Sequence, residues 1–249
     1  MKKIFLSVAF LIIAIAALAQ ENWYVAAKAG LSIREKPSAT AKALDKIPYG
    51  EKITVSYDTG TSIIIKNEGF DGLWAKTTWK GKTGYLVNSY LLPVPVPKAG
   101  VKNLKEFFAQ LTAAAGAPVI VKKTLPEDYS TTLKKQLYKN GAEIHEYQSY
   151  EYNSTTYFLP DLTLQQGFLL LRLLKAFPEV IGDNEPFPLS SGTKTIKTGE
   201  RKITVEKQDY GSAEPVTEKI KIEWESGASY ELQLYLIDNQ LVIFSSGGV

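Results

Sequence analysis

Leu73-Trp74-Ala75-Lys76-Thr77-Thr78-Trp79-Lys80-Gly81-Lys82-Thr83-Gly84-Tyr85-Leu86-Val87 reads as two short strands folded back on each other. β-branched and aromatic residues fill both halves, and Lys80-Gly81-Lys82 supplies a turn between them. Alternate side chains of a strand face opposite sides, so Trp74, Lys76 and Thr78 share one side while Ala75, Thr77 and Trp79 share the other. Working outward, residues 23–27, 52–57 and 61–66 are further short β-type runs. Pro48-Tyr49-Gly50, Asp58-Thr59-Gly60 and Asp71-Gly72 punctuate them as turns. No helical period of useful length interrupts the pattern. Closure into a small β-barrel is the expected result, because it protects strand edges.

Pro93, Pro95 and Pro97 end this region. Alternating proline fixes φ and removes backbone donors, so residues 93–100 are expected to form a stiff, extended linker. Beyond it the pattern changes. Residues 104–115 place Leu104, Phe107, Phe108, Leu111 and Ala115 on one helical face, with Asn103 and Glu106 as a cap. Residues 126–139 are expected to hold a shorter helix stopped at Asn140-Gly141. A hairpin is expected around Asn153-Ser154, joining residues 143–152 to 155–159. Residues 163–177 form the clearest helix, with Thr163 and Gln166 as a capping box and Pro178 as the stop. Ile220, Ile222 and Trp224 alternate with polar residues, as do Tyr230, Leu232, Leu234 and Leu236. Together with residues 202–206 and 241–244 these runs predict an antiparallel meander whose apolar face is packed by two or three helices. The fold class expected is mainly β with an α+β second domain: a barrel over residues 20–92, the linker, and an α+β domain over residues 101–249.

At the N-terminus, Lys2 and Lys3 precede an apolar run over residues 4–19 that only Ser7 interrupts. Ala17-Leu18-Ala19 has the small-x-small form of a cleavage site, so residues 1–19 are expected to be a signal peptide and Gln20 the mature start. The run falls short of the roughly 20 residues that span a bilayer. No comparable run follows, and the mature form is expected not to cross a membrane. The expected location is exported: periplasmic, extracellular or envelope-associated.

Residues 24–92 resemble the bacterial SH3 (SH3b, SH3 type 3) family on three ordered stretches. Ala29-Gly30-Leu31-Ser32-Ile33-Arg34-Glu35-Lys36-Pro37-Ser38 is similar to the family opening L-N-V-R-x-x-P-S. Ile47-Pro48-Tyr49-Gly50-Glu51-Lys52-Ile53 is similar to its L-x-x-G-x-x-V turn. Leu73-Trp74-Ala75-Lys76, then Gly81-Lys82-Thr83-Gly84-Tyr85-Leu86 and Ser89-Tyr90-Leu91, is similar to its W-x-K and G-K-x-G-Y-V ending. The resemblance implies a small β-barrel, export, and recognition of peptidoglycan or of another wall or protein ligand. The family places an apolar residue facing the core where this chain has Thr77, which leaves Trp74 facing outward. Trp74 with Lys76, Tyr49, Tyr57 and Tyr90 is then the candidate ligand groove, amphipathic enough to grip sugars or peptides. The alternative is that these aromatics pack a small core, the preferred reading for Trp79 and Tyr85. For Trp74 both readings stand.

The rest of the composition bears on chemistry mainly by exclusion. The chain has no cysteine, which removes disulfides, thiolate metal sites, a cysteine nucleophile and a lipidated cysteine anchor. His145 is the single histidine, too few for a zinc hydrolase, and no G-x-S-x-G elbow surrounds any serine. No metal site and no cofactor is expected. A formal net charge of +3 is far from the basic stripe that nucleic-acid binding requires. Residues 24–93 carry ten Lys or Arg against six Asp or Glu, a mild excess that favours an anionic wall polymer. A glycosidase needs only two carboxylates, and Glu143, Glu146 and Glu151 lie in a hairpin rich in tyrosine (Tyr147, Tyr150, Tyr152). The sequence reading is a non-enzymatic exported binding protein whose partner is a cell-wall peptide or glycan or an envelope protein. A carboxylate-based wall hydrolase and a protein–protein adaptor are its rivals.

Overall fold

The computed structural model describes residues 22–58, 64–124, 129–211 and 215–248. The expected signal peptide and the Asp58-Thr59-Gly60 turn beyond Asp58 lie outside these residues. Among the described residues strand dominates, in antiparallel sheets, with two α-helices. The described residues fall into two compact units, one within residues 22–67 plus 71–96, the other within residues 68–70 plus 97–248.

In the first unit, β1 (Asn22–Val25) lies between β4 (Lys52–Thr54) and β9 (Leu91–Leu92). A four-stranded sheet runs in the order β3 (Ala43–Ile47), β2 (Leu31–Arg34), β8 (Lys82–Val87), β7 (Trp74–Trp79). Strand β5 (Ile65–Asn67) pairs with β6 (Phe70–Gly72), and of these two strands Phe70 belongs to the second unit. Strands β7 and β8 are joined by Lys80 (φ 47°) and Gly81 (φ 75°), the left-handed pair that matches the twist of a two-residue hairpin. Val25, Ile47, Ile53, Val55, Ala75, Leu86 and Leu91 form the core cluster, with Trp23 and Trp79 packed against it. Gly84 lies where a Cβ would come within 2.4 Å of the Arg34 carbonyl oxygen, so β2 and β8 approach more closely than any side chain permits.

The second unit is built on a nine-stranded antiparallel sheet made of two meanders. The first contains β10 (Val119–Thr124), β11 (Ser130–Leu137), β12 (Glu143–Gln148) and β13 (Tyr152–Pro160). The second contains β14 (Gly192–Ile196), β15 (Gly199–Gln208), β16 (Val216–Glu225), β17 (Ser229–Ile237) and β18 (Gln240–Gly248). They meet where β13 pairs with β18, Tyr152 opposite Gly248 and Pro160 opposite Gln240.

Helix α1 (Leu104–Leu111) is capped by Asn103, whose Oδ1 accepts the Glu106 amide at 2.9 Å, and it ends at Thr112, short of the expected Ala115. Phe108 packs on Tyr157 at 5.8 Å and on Tyr138 at 5.3 Å. Helix α2 (Leu164–Leu174) has the full capping box of Thr163 and Gln166 and ends at Lys175 in the left-handed conformation, before Pro178 is reached. Its Gly167 sits where a Cβ would be 2.3 Å from a Leu241 methyl, so the helix lies almost on the sheet. On that face Ile220, Ile222, Leu232, Leu234, Leu241 and Ile243 are fully buried. Each such side chain contributes about 1.5–3 kcal/mol through the water it sheds. Phe70 is also fully buried in this unit, with ring centroids 6.2 Å from Phe168 and 5.7 Å from Phe187.

Three expectations are corrected. Where described, the segment expected as a helix over residues 126–139 is strand β11, because its backbone ladder with β10 and β12 outweighs the stop signal at Asn140-Gly141. The hairpin turn falls at residues 149–151, and Asn153 and Ser154 sit inside β13 opposite Gln148 and Tyr147. Strands β10 and β14 occupy stretches where no strand was expected.

Candidate ligand-binding face of the first unit

Strand register places four residues in one row across the first unit. Arg34 of β2 is opposite Tyr85 of β8, which is opposite Lys76 of β7, which bridges to Ser56. Directly opposed residues share a face, and this one is turned away from Ile33, Ala75 and Leu86, whose side chains are fully buried. The Lys76 and Ser56 amides each donate to the other's carbonyl, at 2.8 and 2.9 Å, extending the ladder past β7.

Asp58 completes the cluster. The Tyr85 hydroxyl donates to Asp58 Oδ2 at 2.8 Å, and Lys76 Nζ lies 3.6 Å from the same oxygen and 6.0 Å from the Tyr85 ring centre. The hydrogen bond to Asp58, then desolvation and the carboxylate charge, hold the Tyr85 pKa above the usual tyrosine value. The Lys76 and Asp58 side chains are both about two-fifths exposed, so their ion pair adds under about 1 kcal/mol and is readily exchanged for a ligand's charge. Next along the chain Tyr57 is 48% exposed. Its hydroxyl accepts from Asn88 Nδ2 at 2.8 Å, while Asn88 Oδ1 accepts the Leu73 amide at 2.7 Å. The short helical turn Asn88–Tyr90 carries Tyr90, whose hydroxyl accepts from Asn67 Nδ2 at 3.4 Å.

Lys76 is thus tied to Asp58, the residue after Tyr57, while Tyr57 is held by Asn88 and Tyr90 by Asn67. Tyr49 sits in the turn between β3 and β4, where burial pushes its hydroxyl pKa up to about 12. Trp74 does not face outward: it is 7% exposed although it lies outside the core cluster. Both sides of the first half of β7 are covered, so alternation there does not separate inside from outside. Thr77 is 4% exposed on the core side, and its hydroxyl donates to the Thr54 carbonyl at 2.8 Å, which is how a polar residue occupies the apolar position. Sequence reasoning missed Asp58 and placed Tyr85 in the core. The register opposite Lys76 is what turns Tyr85 outward.

Residues 29–91 match the bacterial SH3 domain. No curated protein and no solved structure matches the chain. SH3 domains of this type commonly bind cell-wall ligands. The Arg34–Tyr85–Lys76 row runs along strands of the matched span, and Tyr57, Asp58 and Asn88 fall within it.

In the second unit the three candidate carboxylates do not converge. Glu143 and Glu146 project from opposite faces of β12. Glu143 pairs with His145 Nε2 at 2.8 Å. Glu146 is held by Lys105 at 2.8 Å and Lys134 at 3.1 Å. Burial works against the Glu146 charge, but the two lysine hydrogen bonds outweigh it and keep the pKa below the usual glutamate value. Glu151 lines a shallow cavity of about 290 Å³ with Tyr150, Tyr152 and Tyr230. A larger neighbour of about 640 Å³ carries Glu200, Glu223, Glu225 and Glu231 around Trp224 and Tyr230. Those two rings stack on each other at 5.4 Å and 16°, so each has one face already covered. No described helix is long and apolar enough to cross a membrane.

Proposed function

We propose that this is an exported, non-enzymatic binding protein whose SH3 module recognises peptide or glycan of the cell wall through the face carrying Lys76, Tyr85, Asp58 and Tyr57. The observation that carries the reading is the half-exposed Tyr85–Asp58–Lys76 cluster inside a domain whose relatives commonly bind wall ligands. A carboxylate-bearing peptide replaces Asp58 as the partner of Lys76, and Tyr57 and Tyr85 present ring edges and hydroxyls to its backbone amides. Arg34 stands at the other end of the row, its Nη1 donating to the Ala41 carbonyl at 2.7 Å, which leaves further guanidinium donors for a second anionic group.

The test is co-sedimentation of the protein with purified peptidoglycan sacculi at low and high salt, beside Lys76→Ala and Tyr85→Phe variants. Retention that persists in salt and falls about tenfold in either variant supports wall recognition by this face. Retention erased by salt, or unchanged in both variants, refutes it and favours an envelope protein as the partner. Release of soluble fragments from the sacculi would overturn the non-enzymatic part and return attention to Glu143, Glu146 and Glu151.

A further inference from the structure

The nine-stranded sheet has two ends, and they differ. At one, β14 is short and polar, Gly-Thr-Lys-Thr-Ile. At the other, β10 has β11 as its single neighbour, and all six of its residues are exposed. Val119, Ile120 and Val121 are 62%, 54% and 54% exposed, on a strand whose outer row of N–H and C=O groups has no ladder partner among the described residues. An unpaired row of backbone groups flanked by aliphatic side chains on both faces is the arrangement that accepts an added strand.

Charge selects the strand. Neither β10 nor β11 contains an acidic residue, while Lys122 and Lys123 lie on β10 and Lys134 and Lys135 on β11. Lys134 is engaged by Glu146. Lys122, Lys123 and Lys135 have no ion-pair partner among the described residues. Lys122 and Lys123, adjacent on one strand, point to opposite faces, so an incoming strand meets a cation on each side. A second copy of β10 would set lysine near lysine, a destabilising match across strands. We propose that the β10 edge docks an extended, acidic and aliphatic segment of a protein partner by strand addition, with Val119, Ile120 and Val121 setting the apolar half of the match and Lys122 and Lys123 the charged half. This edge shares no residue with the SH3 face, and the proposal does not depend on that face's ligand.

The experiment uses the whole protein and a fluorescein-labelled, acetylated peptide of alternating glutamate and valine long enough to cover β10. A lysine–valine counterpart and a glutamate–valine peptide N-methylated along one edge are the controls, all read by anisotropy. The expected result is saturable binding of the first peptide, at least about tenfold weaker binding of both controls, and a similar loss in Lys122→Glu/Lys123→Glu. These positions are exposed, so the variant keeps the fold. Absence of binding, equal binding of the N-methylated peptide, or full binding by the double variant would overturn the proposal. So would a concentration-dependent dimer in sedimentation that Ile120→Lys abolishes, which would assign the edge to a second copy.

Discussion

Strands β7 and β10 are both six residues long, both lie in antiparallel hairpins, and both end a sheet order, yet they have opposite environments. Along β7, Trp74, Ala75 and Thr77 are all buried, and the bridge to Ser56 continues the ladder beyond it. Along β10 every side chain is exposed, including three aliphatic ones. The difference teaches that a strand's alternation describes which residues share a side but not what covers that side. Coverage comes from segments distant in sequence, so Trp74, for which the sequence left both readings standing, is buried, and the Val119-Ile120-Val121 run, where no strand was expected, is in water.

The comparison can be tested by substitution. Trp74→Ala removes a nearly buried indole and should lower stability by about 3–5 kcal/mol, read from a urea denaturation midpoint. A loss below 1 kcal/mol would show the indole to be dispensable to the fold and restore it as a ligand residue. Gly84→Ala should follow, at about 1–3 kcal/mol, because the new methyl meets a backbone carbonyl that cannot move aside without parting β2 from β8. Thr77→Val keeps the shape but strands the Thr54 carbonyl, for about 1 kcal/mol; a more stable variant would mean the hydroxyl bond is not made in solution. On β10, Ile120→Thr should change stability by less than about 0.5 kcal/mol, and a larger loss would show that the edge is covered.

Beside that edge lies a pH effect of known sign. The Glu146 pKa is depressed in the fold, so its ion pairs with Lys105 and Lys134 contribute fully above the ordinary value of 4.5 and are lost as pH falls through the folded value. Denaturation midpoints between pH 7 and pH 3 should therefore fall less steeply in Glu146→Gln than in the parent. Parallel slopes would show the pairs to be without consequence.

What the sequence made legible was local. Thr163 with Gln166, Asn103 with Glu106, and Lys80-Gly81 are decided by neighbours within four residues, and the structure has all three. The SH3 match was legible for a similar reason, since its motifs are short and ordered. The binding face was legible only in part. Lys76 and Tyr57 were named, but the partners that make them a cluster, Asp58 and Tyr85, depend on a register between strands far apart in the chain. Strand β11 was misread because the Asn140-Gly141 stop that suggested a helix end serves equally well after a strand, and the evidence for strand is the ladder on its two sides. Trp74 was left undecided because its covering is not encoded in β7 at all.

The seam between β13 and β18 has a kinetic consequence. Within each meander, successive strands pair through short connections, so most of the ladder closes small loops. At the seam 80 residues separate Pro160 from its partner Gln240. Closing that span costs more chain entropy than any hairpin in the sheet, and no contact repays it until the strands have met. The two meanders should therefore gain hydrogen-exchange protection first, and amides on both sides of the seam should share one later rate. A newly made chain would pass through a stage with two extra raw edges, at β13 and β18, and that brief interval is when this protein has most need of a chaperone.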